Sequence, residues 1–465
     1  MNDLAADEKL RIEFLKSTMR RLGLRVNDET NSVPSLSHLH LSSARPSNVG
    51  ELVQSWHEAG IMTKDEHGAE WIKCENDTFA IVQETKRWSM GSLSAATAEV
   101  LETIKAVAET VLPSTVVEAV AGKENADPSL QADTSSSTRD PSPDYNAQTK
   151  HLVPHDQAIP DAKETPEFNH YAYFANLKSF AAINCREAEG TWGQHLLYGE
   201  VVTSTSTILE KNPTLLARLP DGFTATATTQ VSGRGRGSNV WVSPPGALMF
   251  STVLRHSLTL SNKAPVVFVQ YLAALAIIAG IRGYGKGYEK LPIKLKWPND
   301  VYALDPVKDP KENAYTKIAG ILVNSSYSGG DYTLVVGIGI NTNNTSPSVS
   351  LSQLAAKAGL PPFTLEKLLA SILTHFEELY KRFCRTGFDT RFEKQYYDSW
   401  LHTDQIVTLE IEGGARAKIK GITTDWGLLV AEEVNMDGRL TGKKFELMSD
   451  SNSFDFFKGL LKKKT

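Results

Sequence analysis

The stretch VSGRGRGSNVWVSPPGALMFS, residues 231–251, sets Arg234 and Arg236 among Gly233, Gly235 and Gly237, then adds Trp241 and two prolines. Glycine lets a backbone approach a ligand closely. Arginines two residues apart on an irregular loop can converge on an anion with forked donors. Arg-Gly runs also occur in RNA-binding segments, but there they are repeated in disordered surroundings. Here two copies lie between the strand-like GFTATATTQ (222–230) and VWVSPPG. The stretch therefore reads as an ordered loop inside a folded unit.

The flanking sequence reads as α/β. LLYGEVVTSTSTILEKN (196–212) is a strand turning into a helix, and ALMFSTVLRHSL (247–258) is a strand. PIKLKWPNDVYAL (292–304) is strand–turn–strand, and 316–344 is a pair of apolar strands about Gly329 and Gly330. In 364–383, Leu365, Leu368, Leu369, Ile372, Phe376, Leu379 and Phe383 follow helical spacing. Residues 264–281 contain Gln270 as the only polar side chain. Their alanine content, Pro265 and Gly280 favour a buried core helix over a membrane span.

The bulk numbers narrow the class. The chain has 465 residues, 41% hydrophobic, with a formal net charge of −5. That suffices for several domains, and it weighs against a dedicated nucleic-acid binder, which is usually basic. Cys74, Cys185 and Cys384 are too scattered for a disulfide framework or a thiolate metal site. The charged N-terminus lacks the apolar core of a signal peptide, so a cytoplasmic location is expected.

Four regions are expected. Residues 1–112 form an α/β segment with helices near 11–24 and 96–112 and two short strands in WIKCENDTFAIVQ (71–83). Residues 113–163, poor in large apolar side chains, form a disordered linker. Residues 164–400 form the main α/β domain. Residues 401–465 contain four short alternating strands, read as a small β-barrel ending in a solvated basic tail.

Five motifs could carry chemistry. Besides the glycine–arginine loop, they are TSTST (203–207), KWPND (296–300), KIAGILVN (317–324) and GIGIN (337–341). Taken singly, each has a plain structural explanation: helix capping for the hydroxyls, turn preference for Asn299 and Asp300, a snorkelling edge lysine for Lys317. Their order within one α/β unit is the specific signal.

That ordered set resembles the biotin protein ligases, or holocarboxylase synthetases, over about residues 173–447. The resemblance implies a mixed β-sheet with flanking helices, of the class II synthetase-like biotin/lipoate ligase fold, plus an SH3-like C-terminal barrel. Residues 1–112 would be a remnant of the amidotransferase-like extension of fungal members. It implies that biotin is bound by Ser204, Thr205, Gln230, Gly233, Arg234, Lys317 and Gly320. ATP and the adenylate would be bound by Arg236, Trp241, Asn299, Asp300 and Asn341, with Asp300 near Mg2+. Lys317 and Arg236 would act in catalysis. The implied reaction uses ATP to form biotinyl-5'-AMP, then transfers biotin to a lysine of the biotin carboxyl-carrier domains of carboxylases such as acetyl-CoA and pyruvate carboxylase. No nucleic acid or membrane partner is expected. A lipoate or octanoate ligase of related fold is the nearest alternative, and a non-enzymatic RNA-binding protein is the alternative from another class. The sequence departs from bacterial members in having GSN after Arg236 and in showing no helix-turn-helix.

Overall fold

Apolar alternation builds one large sheet, seen in a computed structural model that describes residues 35–82, 145, 147–185, 190–237, 239–298, 300–308, 314–344, 349–448, 452–455 and 460–463. The strands are β1 (Leu39–Ser43), β2 (Met62–Lys64), β3 (Glu70–Lys73), β4 (Thr78–Ile81), β5 (Lys150–Pro154), β6 (His195–Val202), β7 (Thr224–Gln230), β8 (Leu248–Ser257), β9 (Ile293–Lys296), β10 (Asp300–Leu304), β11 (Tyr315–Ser328) and β12 (Asp331–Ile340). Their order is β2-β3-β4-β5-β1-β6-β7-β8-β12-β11-β10-β9. The sheet is mixed: β4·β5, β5·β1 and β6·β7 are parallel and the other pairs antiparallel.

The helices are α1 (Ser47–Glu58), α2 (His170–Asn184), α3 (Thr205–Glu210), α4 (Pro213–Leu216), α5 (Val269–Arg282), α6 (Leu351–Lys357), α7 (Leu365–Thr386) and α8 (Thr390–Ser399). The apolar stretch expected as a core helix is α5. Eleven of its 14 residues are buried, so it is apolar all round because it is enclosed all round. Among the described residues no helix is long and apolar enough to cross a membrane. The amphipathic α7 buries Leu368, Leu369, Ile372, Phe376, Leu379 and Phe383, which are six of the seven positions picked out by spacing.

Two expectations about the N-terminal half are corrected. The region 113–163 is not linker throughout: residues 113–144 and 146 lie outside the described residues, but 150–154 form β5, in parallel register with both β1 and β4. Nor do residues 1–112 form a segment apart from the main domain, because β1 pairs antiparallel with β6 along its whole length, Leu39 opposite Gly199 and Ser43 opposite His195. The two helices expected near 11–24 and 96–112 lie outside the described residues. The strands β3 and β4 stand where WIKCENDTFAIVQ placed them.

The C-terminal part also differs. Four expected strands are present as β13 (Ile406–Leu409), β14 (Ala415–Ile422), β15 (Leu429–Val434) and β16 (Leu440–Leu447). They join β17 (Asn452–Asp455) and β18 (Leu460–Lys463) in a sheet ordered β16-β15-β14-β13-β18-β17. Among the described residues no hydrogen-bonded pair closes this sheet into a barrel. The basic end is not a tail alone: Leu460 and Leu461 of β18 stand in parallel register with Thr408 and Leu409.

Candidate active site

The site is built on glycines that let a loop lie flat on the sheet. Gly320 of β11 and Gly339 of β12 face each other in register. Over them lies the Trp241 ring: a Cβ on Gly339 would stand 2.5 Å from the indole Cε2 and Nε1, and one on Gly320 would stand 3.1 Å from Cζ3. Two residues along β12, a Cβ on Gly337 would stand 2.4 Å from the Ser206 hydroxyl. The spacing of GIGIN thus has a physical reason. Alternate residues of a strand share a face, and on this face the indole and the start of α3 both need the room.

The glycine–arginine loop is a narrow hairpin. Gly235 N–H donates to Asn239 O at 2.8 Å, and Trp241 N–H donates to Gly233 O at 2.9 Å. Arg234 bridges Val240. The Arg234 side chain pairs with Glu210, the last residue of α3. Arg236 lies on the side of Tyr271: burial pushes the Tyr271 hydroxyl pKa up, and its bond with the Trp297 indole and the Arg236 charge pull it partly back. Tyr271 donates to Gly427 O at 2.7 Å and accepts from Trp297 Nε1 at 2.9 Å. The KWPND turn is therefore fastened to α5 and to the C-terminal sheet. His402, fully buried, accepts from Trp297 N–H at 2.9 Å.

Beside Trp241, Lys317 Nζ lies 2.7 Å from Asp300 Oδ1. It also stands 5.8 Å from the centre of the Trp241 ring. Asp300 is the register partner of Gly320, so cation, carboxylate and indole meet over one glycine. Asn341 directly follows β12, and its Oδ1 accepts from Asn344 Nδ2 at 3.2 Å. Asn299 lies outside the described residues.

On the other side of the loop is a bed of hydroxyls and one amide. Ser204 caps α3. Gln230 Oε1 accepts from Thr205 N–H at 2.9 Å and from its hydroxyl at 3.2 Å, while Gln230 Nε2 donates to Ser243 Oγ at 3.0 Å. The Ser251 hydroxyl lies 2.8 Å from Thr205 Oγ1 and 2.9 Å from Ser206 Oγ. The Thr203 hydroxyl is buried without a partner. Such a bed suits a neutral group rich in donors and acceptors, and the Lys317 side suits anions. Among the described residues no group of three or more His, Cys, Asp or Glu side chains could hold a metal ion.

Residues 198–341 match the model of the Biotin/lipoate A/B protein ligase family. "Biotin--protein ligase" of Schizosaccharomyces pombe is 39% identical over 287 residues, covering 59% of this chain and 44% of that protein. "Biotin--protein ligase 2" of Arabidopsis thaliana is 31% identical over 59% of this chain and 78% of its own length. The chain belongs to the biotin–protein ligase family. Less than half of the S. pombe protein is spanned. Among solved structures, "Biotin protein ligase from Aquifex aeolicus in complex with biotin and ATP" aligns over 55% of this chain and 99% of its own, at 24% identity and a TM-score of 0.40.

In this member of the biotin–protein ligase family, the structure brings Ser204, Thr205, Gln230 and Gly233 together on one side of Trp241, and Asp300, Lys317 and Gly320 on the other. It turns Arg234 towards Glu210. Sequence reasoning missed Ser243, Ser251, Glu210, Tyr271 and His402. A serine inside a strand gives no local signal. Only the in-register neighbours of Ser251, Gly337 on β12 and Ala225 on β7, reveal the space that its hydroxyl contacts use.

Proposed function

We propose that the chain uses ATP to attach biotin to a lysine of biotin carboxyl-carrier domains. The observation that carries this reading is the convergence of Lys317, Asp300 and Trp241 over Gly320 and Gly339, joined by one loop to the Thr205–Gln230–Ser243 bed.

A carboxylate is a poor electrophile, so it must first gain a leaving group. A biotin carboxylate oxygen attacks the α-phosphorus of ATP; the bond to diphosphate breaks, and biotinyl-5'-AMP forms. A carrier lysine, as the free amine, then attacks the acyl carbon. AMP leaves with the bonding electrons, and the ammonium proton is lost to solvent.

Each residue has a part in this scheme. Thr205, Gln230 and the capping Ser204 hold the ureido ring, with Gly233 giving the loop close approach and Gly320 leaving room beside it. Lys317 neutralises the reacting carboxylate and phosphate oxygens, and Arg236 gives forked donors to the phosphate. Trp241 borders the nucleotide side, and Asn299 and Asn341 serve the nucleotide. Arg234 steadies the loop through Glu210 and approaches biotin when the loop closes. A Mg2+ arriving with ATP would need a protein carboxylate here. Asp300 is the carboxylate suited to it, and the ion would neutralise the phosphate charge.

Residues 164–400 would form the catalytic domain and 401–465 an appended β module. Carboxylases such as acetyl-CoA and pyruvate carboxylase are the proposed partners, in the cytoplasm. Three free cysteines accord with a reducing compartment. The test is pyrophosphate exchange into ATP with biotin, lipoate or neither. Exchange with biotin alone is expected; exchange with lipoate alone would move the assignment to lipoate ligation, and exchange with neither would remove the adenylation chemistry.

A further inference from the structure

The short helix α3 has two ends with different owners. Its first residue, Thr205, is fixed to the catalytic strands through Gln230 and Ser251. Its far end is held by strands from the other end of the sheet. Asn212, fully buried just past α3, accepts on Oδ1 from the backbone N–H groups of Asp77 at 2.9 Å and Asn76 at 3.2 Å. Its Nδ2 donates to Asp77 Oδ2 at 2.6 Å and to Ile208 O, within α3, at 2.8 Å. The Asp77 carboxylate also pairs with Lys150 of β5, both side chains almost wholly buried. On the exposed side, the Glu75 carboxylate accepts from the Thr214 hydroxyl and backbone N–H.

Apolar packing follows the same line. Ile208, Leu209, Leu215 and Leu216 share one buried cluster with Leu41, Trp56, Ile72, Phe79 and Leu152. A six-residue helix has little stability of its own, so what it packs against sets its position. Glu210, which clips Arg234 and hence the loop, sits two residues before Asn212.

We propose that Asn212 and Asp77 are positioning residues for the biotin site, through which the strands β3–β5 set the placement of Thr205 at one end of α3 and of Arg234 at the other. This rests on the biotin reading given above. These strands then contribute to biotin binding without touching the ligand, and their removal loosens the ring pocket while leaving Lys317 and Asp300, which lie on β11 and β10, in place.

The test uses the full chain in pyrophosphate exchange, with KM measured separately for biotin and ATP. Asn212→Ala removes four hydrogen bonds around a buried turn. It is expected to raise the biotin KM by roughly tenfold, with the ATP KM and kcat within about threefold of wild type. Asp65→Ala, which loosens the β2–β3 turn without touching Asn212, is the structural control; its biotin KM stays at the wild-type value. Should Asn212→Ala fail to fold, Glu75→Gln on the exposed side is read instead, with a biotin KM raised about two- to threefold. A folded Asn212→Ala or Glu75→Gln with wild-type biotin KM overturns the proposal, as does an equal rise for biotin and ATP. Wild-type exchange separates the two claims: if the wild type responds to biotin, only the positioning role is at stake, and if it does not, the functional reading falls and takes this proposal with it.

Discussion

Lys317 Nζ lies 2.7 Å from Asp300 Oδ1, on neighbouring antiparallel strands and beside the Trp241 ring. Two-fifths of the lysine side chain is exposed. An ion pair this open contributes about 0–1 kcal/mol to stability, so its placement is better explained by chemistry than by folding. Lys317→Ala is expected to lower biotin-dependent exchange by roughly a hundredfold or more, on a loss of about 3 kcal/mol of transition-state stabilisation. Its melting temperature should stay close to that of the wild type. Unchanged turnover with a lowered melting temperature would return Lys317 to a structural role.

The Trp241 ring over Gly320 and Gly339 predicts that one methyl group is enough to disturb the site. Gly339→Ala puts a Cβ where the indole now lies. The ring must lift, and exchange activity should fall at least tenfold, an effect of about 1.4 kcal/mol on the barrier. Tryptophan emission should shift to the red as the indole gains water. A variant with wild-type emission and activity would show that the ring has room to spare.

Arg234 and Glu210 predict an equivalence. If the ion pair clips the loop to α3, Glu210→Ala and Arg234→Ala should weaken biotin binding by similar factors, and the double variant should be no worse than either single one. Additive losses would mean that Arg234 acts on the ligand independently of Glu210. For Arg236 the expectation differs, because its fork would hold the phosphate of the intermediate. Arg236→Gly should release free biotinyl-adenylate, measurable in a filtrate and by modification of a bystander protein. Adenylate kept as tightly as by the wild type would remove Arg236 from that role.

Three histidines predict acid lability. Burial lowers His402 from 6.5 to about 4. Burial first, then His155 and His38, lowers His40 to about 4, and burial, then His40 and His155, lowers His170 to about 3. A group whose folded pKa lies below its unfolded value stabilises the protein above the unfolded value and loses that contribution as pH falls towards the folded one. Stability should therefore be level near neutrality and drop as pH falls from 6.5 towards 4. His402→Gln should flatten part of that drop. A melting temperature that rises between neutrality and about pH 5 would contradict the assignment.

Much of the half that carries the candidate site is legible in the sequence because each of its elements carries its own local pattern. The β11–β12 pair alternates about Gly329 and Gly330, and α7 repeats at helical spacing. The joining of the N-terminal strands to the sheet is not legible. Lys150, charged and close to Pro154, looks like linker, and its distant charged partner Asp77, with the carbonyls of Tyr145 and Gln148, makes its burial tolerable. Likewise, nothing local marks Asn212 as more than a turn residue before Pro213. Lys317 and Asp300 could be picked out as reactive types, but their meeting depends on the β10–β11 register, which no local pattern states.

The β1–β6 ladder has a practical consequence for handling the protein. Strands β1–β4 come before residues 83–144 and β5 and β6 after them, yet β1 is hydrogen-bonded to both β5 and β6, and β4 to β5. A chain cut anywhere in 83–144 would thus have its two pieces laced across one sheet, with Asp77 on one and Lys150 and Asn212 on the other. The pieces should co-purify as a split protein and part only in denaturant. A preparation that looks nicked on a denaturing gel can still be whole in solution, and the two halves, expressed separately, offer a reconstitution assay in which co-purification reports their reunion.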